Sequence, residues 1–186
     1  MPRVQIGPAV HRPSPLVARW VNNFPRWGIR RILDLGAGNL RNSLYLAELG
    51  FSLWAAELPA QLARLGPQPG LVPLLDTRLL QRTRLQMDLV LCTYVLNILP
   101  PMKQGSLLAL CRRNLKEGGF LCLEVRKKGE AGSLNALSAS ELMSIAHPWG
   151  FHPAALEEGP TWLGVLFHRT RKSRKLPALV SKMNIE

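Results

Sequence analysis

The residues best suited to chemistry stand in one run, Leu33-Asp34-Leu35-Gly36-Ala37-Gly38, with Glu57 nineteen residues beyond Gly38. Glycine suits a sharp turn whose backbone must come close to a ligand. A carboxylate ending the following strand can accept hydrogen bonds from ribose hydroxyls. The pair therefore points to a ligand with a nucleoside portion. A nicotinamide dinucleotide would want a third glycine at position 41 of a G-x-G-x-x-G pattern, and Arg41 stands there instead. Further polar groups close later apolar runs: Asp76, and the series Cys92-Thr93-Tyr94. Asp34 and Asp76 also read as ordinary strand-end or cap residues, and Tyr94 as packing.

The surrounding pattern supplies the elements to hold these groups. Ser14-Pro15 opens a short leading helix over 17–24. Strands are predicted at 31–35, 51–57, 71–75, 87–95 and 120–125. The third is weakened by Pro73, and the fourth is apolar enough to be buried on both faces. Helices are predicted over 40–49, from Leu58-Pro59 through 65, over 101–115 with Gly118-Gly119 as the stop, and from the capping box Ser138 to Glu141 onward to about 148. Two final strands, 151–159 and 161–169, have no helix between them and should pair antiparallel. The expected fold class is α/β: a seven-stranded, mostly parallel sheet with a C-terminal antiparallel hairpin.

Composition narrows the function classes. The 186 residues are 47% hydrophobic and 19% charged, which suits one globular domain over 1–170 with a basic, flexible tail at 171–186. The longest apolar run, 89–99, is far short of the ~20 residues that span a bilayer. The opening residues lack an apolar signal-like core, so a soluble, cytoplasmic protein is expected. Cys92, Cys111 and Cys122 show no metal-ligand spacing, which argues against zinc or a disulfide framework. Net charge is +12, and the segment from Arg169 to Glu186 holds six basic residues against one acidic. Such a field favours an anionic partner, or reads simply as a solubilising surface.

The run LDLGAGNLRNSLYLAELGFSLWAAE resembles the cofactor-binding half of class I S-adenosylmethionine-dependent methyltransferases, whose fold is Rossmann-like. Within it, Arg41 to Ala47 is similar to tellurite-resistance-type small-molecule methyltransferases. The likeness extends over about 30–168, with Asp76 after the third strand and Asp88 to Leu99 in the fourth-strand motif. It implies S-adenosyl-L-methionine as cofactor. Asp34 would hold the first loop near the methionine amino group, and Gly36, Ala37 and Gly38 would bring backbone to the methionine portion. Glu57 would bind ribose, Leu58 would pack on adenine, and Asp76 with Thr77 would face the adenine amino group. Cys92, Thr93 and Tyr94 would line the floor under the sulfonium. Two departures stand out. Leu40 occupies the place of a third glycine, and Thr93-Tyr94-Val95-Leu96-Asn97 replaces the Asn/Asp-Pro-Pro-Tyr signature of amino-directed nucleobase enzymes.

Three functions fit this reading. The first is methyl transfer to a small molecule, suggested by the Arg41–Ala47 run and the compact size. The second is transfer to RNA or DNA, suggested by the +12 charge and the basic run 168–175. The third is a cofactor-binding regulator without transfer activity. No metal is expected, no membrane partner, and a monomer or weak dimer. An amine or hydroxyl acceptor would need a proton acceptor, for which Tyr94 and His11 are the candidates; the other histidines, His147, His152 and His168, are scattered.

Overall fold

A computed structural model describes residues 12–65, 72–128 and 136–170. Its elements follow in the order α1 (Pro15–Trp20), β1 (Arg31–Leu35), α2 (Arg41–Glu48), β2 (Ser52–Glu57), α3 (Pro59–Leu65), β3 (Leu74–Asp76), α4 (Thr77–Leu80), β4 (Met87–Thr93), α5 (Pro101–Asn114), β5 (Leu115–Arg126), α6 (Ala139–Ala146), β6 (Phe151–Glu158) and β7 (Trp162–Arg169). The seven strands form one sheet in the order β3-β2-β1-β4-β5-β7-β6. The first five are parallel, and β7 pairs antiparallel with both β5 and β6. The α/β class, the mixed sheet and the terminal hairpin are those expected from the sequence.

The apolar run of β4 explains the layering. Leu89 and Leu91 join a core shared with Leu16, Val17 and Trp20 of α1 and Leu46 of α2. Val90 and Cys92 point the other way, into a core with Leu108 and Cys111 of α5 and Leu142 of α6. All seven residues of β4 are buried, as a strand covered by helices on both faces must be.

Local differences from the sequence reading have physical causes. Strand β3 is only three residues long, because Pro73 has no N–H for a ladder; its carbonyl still accepts from Ala55 N at 3.0 Å. Gly118-Gly119 does not stop a helix. Helix α5 ends at Asn114, and the glycines lie inside β5, where register jumps from Met87↔Leu115 to Leu89↔Phe120. The left-handed φ of +73° at Gly118 and the close approach of Gly119 to the Asp88 carbonyl make that bulge possible. Asp88 fastens the same corner, accepting from Arg30 N and Arg31 N at 2.9 and 2.8 Å and pairing with Lys116. The four-residue α4 had no signal of its own.

Helix α1 seats on the sheet at Gly164 of β7. A Cβ built there would fall 2.4 Å from Leu16 Cδ2, and Leu16 is fully buried. Gly164→Val should therefore push α1 off the sheet and destabilise by about 1–3 kcal/mol. Urea denaturation of the two proteins measures this, and an unchanged midpoint would refute the packing.

Candidate functional site

Strand β1 ends in a turn that only small residues can make. Gly36 and Gly38 take φ of +76° and +59°. A Cβ on Gly36 would lie 2.3 Å from Val95 Cγ2, whereas the space beside Gly38 is open. Gly36 N and Ala37 N donate to Ala56 O at 2.8 and 3.3 Å, tying the turn to β2. Leu40, just before α2, is also left-handed, with φ 66°. This is the position where the resembled family has glycine. The backbone demand is the same, and full burial of the Leu40 side chain holds a conformation that is strained for leucine.

Three carboxylates stand at the C-terminal ends of β1, β2 and β3. Asp34 is fully buried; its Oδ2 accepts from Ser43 Oγ at 2.6 Å, while Oδ1 has no partner among the described residues. Burial, the largest effect, raises the Asp34 pKa to about 6. Glu57 reaches over from β2: its Oε1 accepts from Gly38 N at 2.6 Å and its Oε2 from Leu58 N at 3.0 Å. Leu58 is 63% exposed at the rim, an unusual position for leucine. Asp76 caps α4, accepting from Arg78 N at 2.8 Å, and its other oxygen accepts from Arg78 Nε at 2.8 Å. The Arg78 contacts hold it below the usual carboxylate range. Thr77 begins α4 beside it. The pairing Ala56↔Leu75 and Glu57↔Asp76 brings the ends of β2 and β3 level.

The far side of the turn is polar and largely dry. Thr93 Oγ1 accepts from Asn42 Nδ2 at 3.0 Å, and Asn42 Oδ1 accepts from Ser14 N at 2.7 Å. Tyr94 leaves β4 with φ 59°, and its hydroxyl donates to Glu124 Oε1 at 2.7 Å. Burial, then that bond, raises the Tyr94 pKa, and burial raises that of Glu124. The Arg41 guanidinium stands over the Tyr94 ring at 5.6 Å. Cys92 is fully buried and points toward Cys111 of α5; that contact, then burial, raise its pKa, with the Asp34 carboxylate adding to the effect. Thr93 ends the same strand and Tyr94 follows it, each bonded to a neighbouring segment.

Glu124 is the residue that sequence reading missed. Its signal was a single acid within FLCLEV, on a strand buried on both faces. His11 lies outside the described residues. His168 sits against Phe120 at the opposite end of the sheet, and His147 and His152 pair with each other. Among the described residues no cluster of His, Cys, Asp or Glu could hold a metal ion, and no helix is long and apolar enough to cross a membrane.

The raised Asp34 value has a sign that can be checked. Between the unfolded value near 3.8 and about 6, the folded protein keeps a proton that the unfolded chain has lost. Stability from this group is therefore complete below pH 4 and lost as pH rises through 6, by about 3 kcal/mol. Asp34→Asn should melt higher than the parent at pH 7, with the gap closing toward pH 4. A gap independent of pH would contradict the assignment.

No family model matches the chain, and no curated protein matches it. Solved structures do. A 1,6-didemethyltoxoflavin-N1-methyltransferase from Burkholderia thailandensis, bound to 1,6-didemethyltoxoflavin and S-adenosylhomocysteine, is 19% identical, with a TM-score of 0.67 over 85% of this chain and 79% of that one. A SAM-dependent methyltransferase from Archaeoglobus fulgidus is 17% identical, with a TM-score of 0.64 over 82% and 92% of the two chains. The [4+2]-cyclase SpnF is 16% identical, with a TM-score of 0.67 over 83% and 80%. The likeness establishes the fold, and the chain has the Rossmann-like α/β architecture of class I S-adenosylmethionine-dependent methyltransferases.

Proposed function

We propose that the chain is an S-adenosylmethionine-dependent methyltransferase acting on a small-molecule acceptor in the cytoplasm. The observation that carries this reading is the turn after β1. A left-handed glycine pair and a buried carboxylate oxygen without a partner among the described residues lie beside a second carboxylate at the end of β2. These residues fit the cofactor by chemistry. Asp34 Oδ1 offers an acceptor for an ammonium, Glu57 retains lone pairs for ribose hydroxyls, and exposed Leu58 offers a face for adenine. Asp76 and Thr77 stand next along the same edge.

The cofactor supplies a methyl group on a good leaving group. What the protein must add is alignment and exclusion of water. The Thr93–Asn42–Ser14 chain ties the end of β4 to α2 and to the start of α1, which closes this edge of the sheet. For an amine or hydroxyl acceptor, Tyr94 Oη would take the proton while passing its own to Glu124 Oε1. Buried Glu124, with its raised pKa, is suited to receive it. A thiolate acceptor would need neither group.

The small-molecule reading is also supported by the B. thailandensis neighbour, which was solved with such a ligand. The test is incubation of the protein with methyl-labelled S-adenosylmethionine and a cell extract, followed by size fractionation with and without ribonuclease. Label in the small-molecule fraction is expected, with at least ten-fold less for Tyr94→Phe when the acceptor is an amine or hydroxyl; label in a ribonuclease-sensitive polymer would replace this reading with RNA methylation. Independently, Glu57→Ala should weaken S-adenosylhomocysteine binding by about 1–3 kcal/mol. Calorimetry giving equal affinities would remove Glu57 from the site.

A further inference from the structure

A second concavity lies at the other end of the strands. Arg84, Gln86, Arg112, Arg113, Trp149 and Arg169 line a cavity of about 310 Å³. Gln86 immediately precedes β4 and Arg169 ends β7, so the cavity opens where β4 begins and the glycine turn lies where it ends. The seven residues of β4 put ~20 Å between the two places.

Two glycines make room for its walls. A Cβ on Gly105 of α5 would lie 3.1 Å from Trp149 Cζ2, and one on Gly150 would lie 2.6 Å from Arg112 Nη1. Trp149 thus rests on helix backbone, and Arg112 folds over the turn after Trp149. The guanidinium groups are positioned by carbonyl oxygens. Arg112 Nη1 donates to Trp149 O at 2.7 Å, Arg169 Nη1 to Arg112 O at 2.9 Å and to Leu115 O, and Arg113 Nε to Thr83 O at 3.0 Å. Carbonyls fix a guanidinium without neutralising it, and each group keeps further N–H donors for a ligand. The charges repel one another: after burial, Arg112 and Arg84 act to lower the Arg169 pKa, with Glu117 opposing them. The sequence adds Arg171, Lys172, Arg174 and Lys175 directly after this cavity-lining residue and Thr170.

A solvated basic face would need neither the fitted glycines nor an aromatic wall. We infer that the cavity binds a nucleoside phosphate, its phosphoryl oxygens taken by Arg112 and Arg169, with Arg84 and Arg113 at the rim and its base against Trp149. Planar guanidinium donors match phosphoryl geometry, and an indole face accepts any base. The ligand is either a free nucleotide or one unit of a nucleic acid strand, and the chemistry at the cavity is the same.

The probes are uridine 5′-monophosphate, a uridine dodecanucleotide, uridine and inorganic phosphate, each titrated calorimetrically into the full chain. Uridine compounds avoid competition from adenine at the glycine turn. Binding of the monophosphate is expected to exceed that of uridine and of phosphate at least ten-fold, and to fall about ten-fold in Arg84→Gln and in Arg112→Gln. S-Adenosylhomocysteine affinity should be unchanged in both variants, which keeps this test separate from that of the glycine turn. Arg84 is exposed, so its variant leaves the fold intact even if Arg112→Gln does not. Binding of the dodecanucleotide alone, with the same dependence on Arg84, supports the site with a strand as the source. Failure of both uridine phosphates to bind would overturn the inference. So would binding that ignores both substitutions, or phosphate that binds as well as the monophosphate.

Discussion

Strand β4 has no wet face, and that constraint sets the architecture. Its seven residues are buried between α1 and α2 on one side and α5 and α6 on the other. Each fully buried Leu or Val stabilises by roughly 1.5–3 kcal/mol, but only while both helical layers are in place. Covering both faces requires parallel strands linked by crossovers, so the loops leaving β1, β2, β3 and β4 gather at one edge. The glycine turn, Glu57, Asp76 and Tyr94 lie along this one edge because of that geometry, although they come from four separate segments. The opposite edge collects the strand beginnings, and there the arginine-lined cavity forms.

Polar groups drawn into this dry interior carry the functional argument. Asp34, Asn42, Thr93 and Glu124 are all buried, and each is hydrogen-bonded to another residue. Asn42 joins α2 to β4 and to the start of α1, Asp34 takes the Ser43 hydroxyl, and Glu124 takes the Tyr94 phenol. Burial of a carboxylate is unfavourable unless hydrogen bonds or a ligand compensate. Among the described residues, one Asp34 oxygen has a partner and the other has none. That asymmetry marks a place where a bound cation would improve the protein's own electrostatics. At the other edge the imbalance is reversed in sign.

The sequence revealed most where one residue type had one physical meaning. Gly36 and Gly38 could be read directly, since their turn tolerates little else. Leu40 was visible only as an anomaly; its backbone is left-handed, a conformation glycine adopts more easily, and burial of the side chain holds it. The long apolar run gave β4, and the absence of a helix between the last two runs gave the hairpin. Residues with two meanings misled. Gly118-Gly119 looked like a helix stop and proved to be a bulge within β5. Asp76 was readable as a cap or as a ligand, and the structure shows it capping α4. Glu124 was hidden because alternation cannot tell a buried carboxylate from a strand-end one. The arginine cavity was illegible, since Arg84, Arg112 and Arg169 meet only through the fold.

The central claim is that the glycine turn and the carboxylates around it hold S-adenosylmethionine. Amide chemical-shift mapping on a nitrogen-15-labelled sample during titration with S-adenosylhomocysteine addresses it most directly. The account predicts saturable shifts concentrated at Gly36 to Gly38, Glu57-Leu58 and Asp76-Thr77, with the first turn of α2 following. Saturation with those amides unmoved, or with shifts confined to the opposite edge of the sheet, would contradict it.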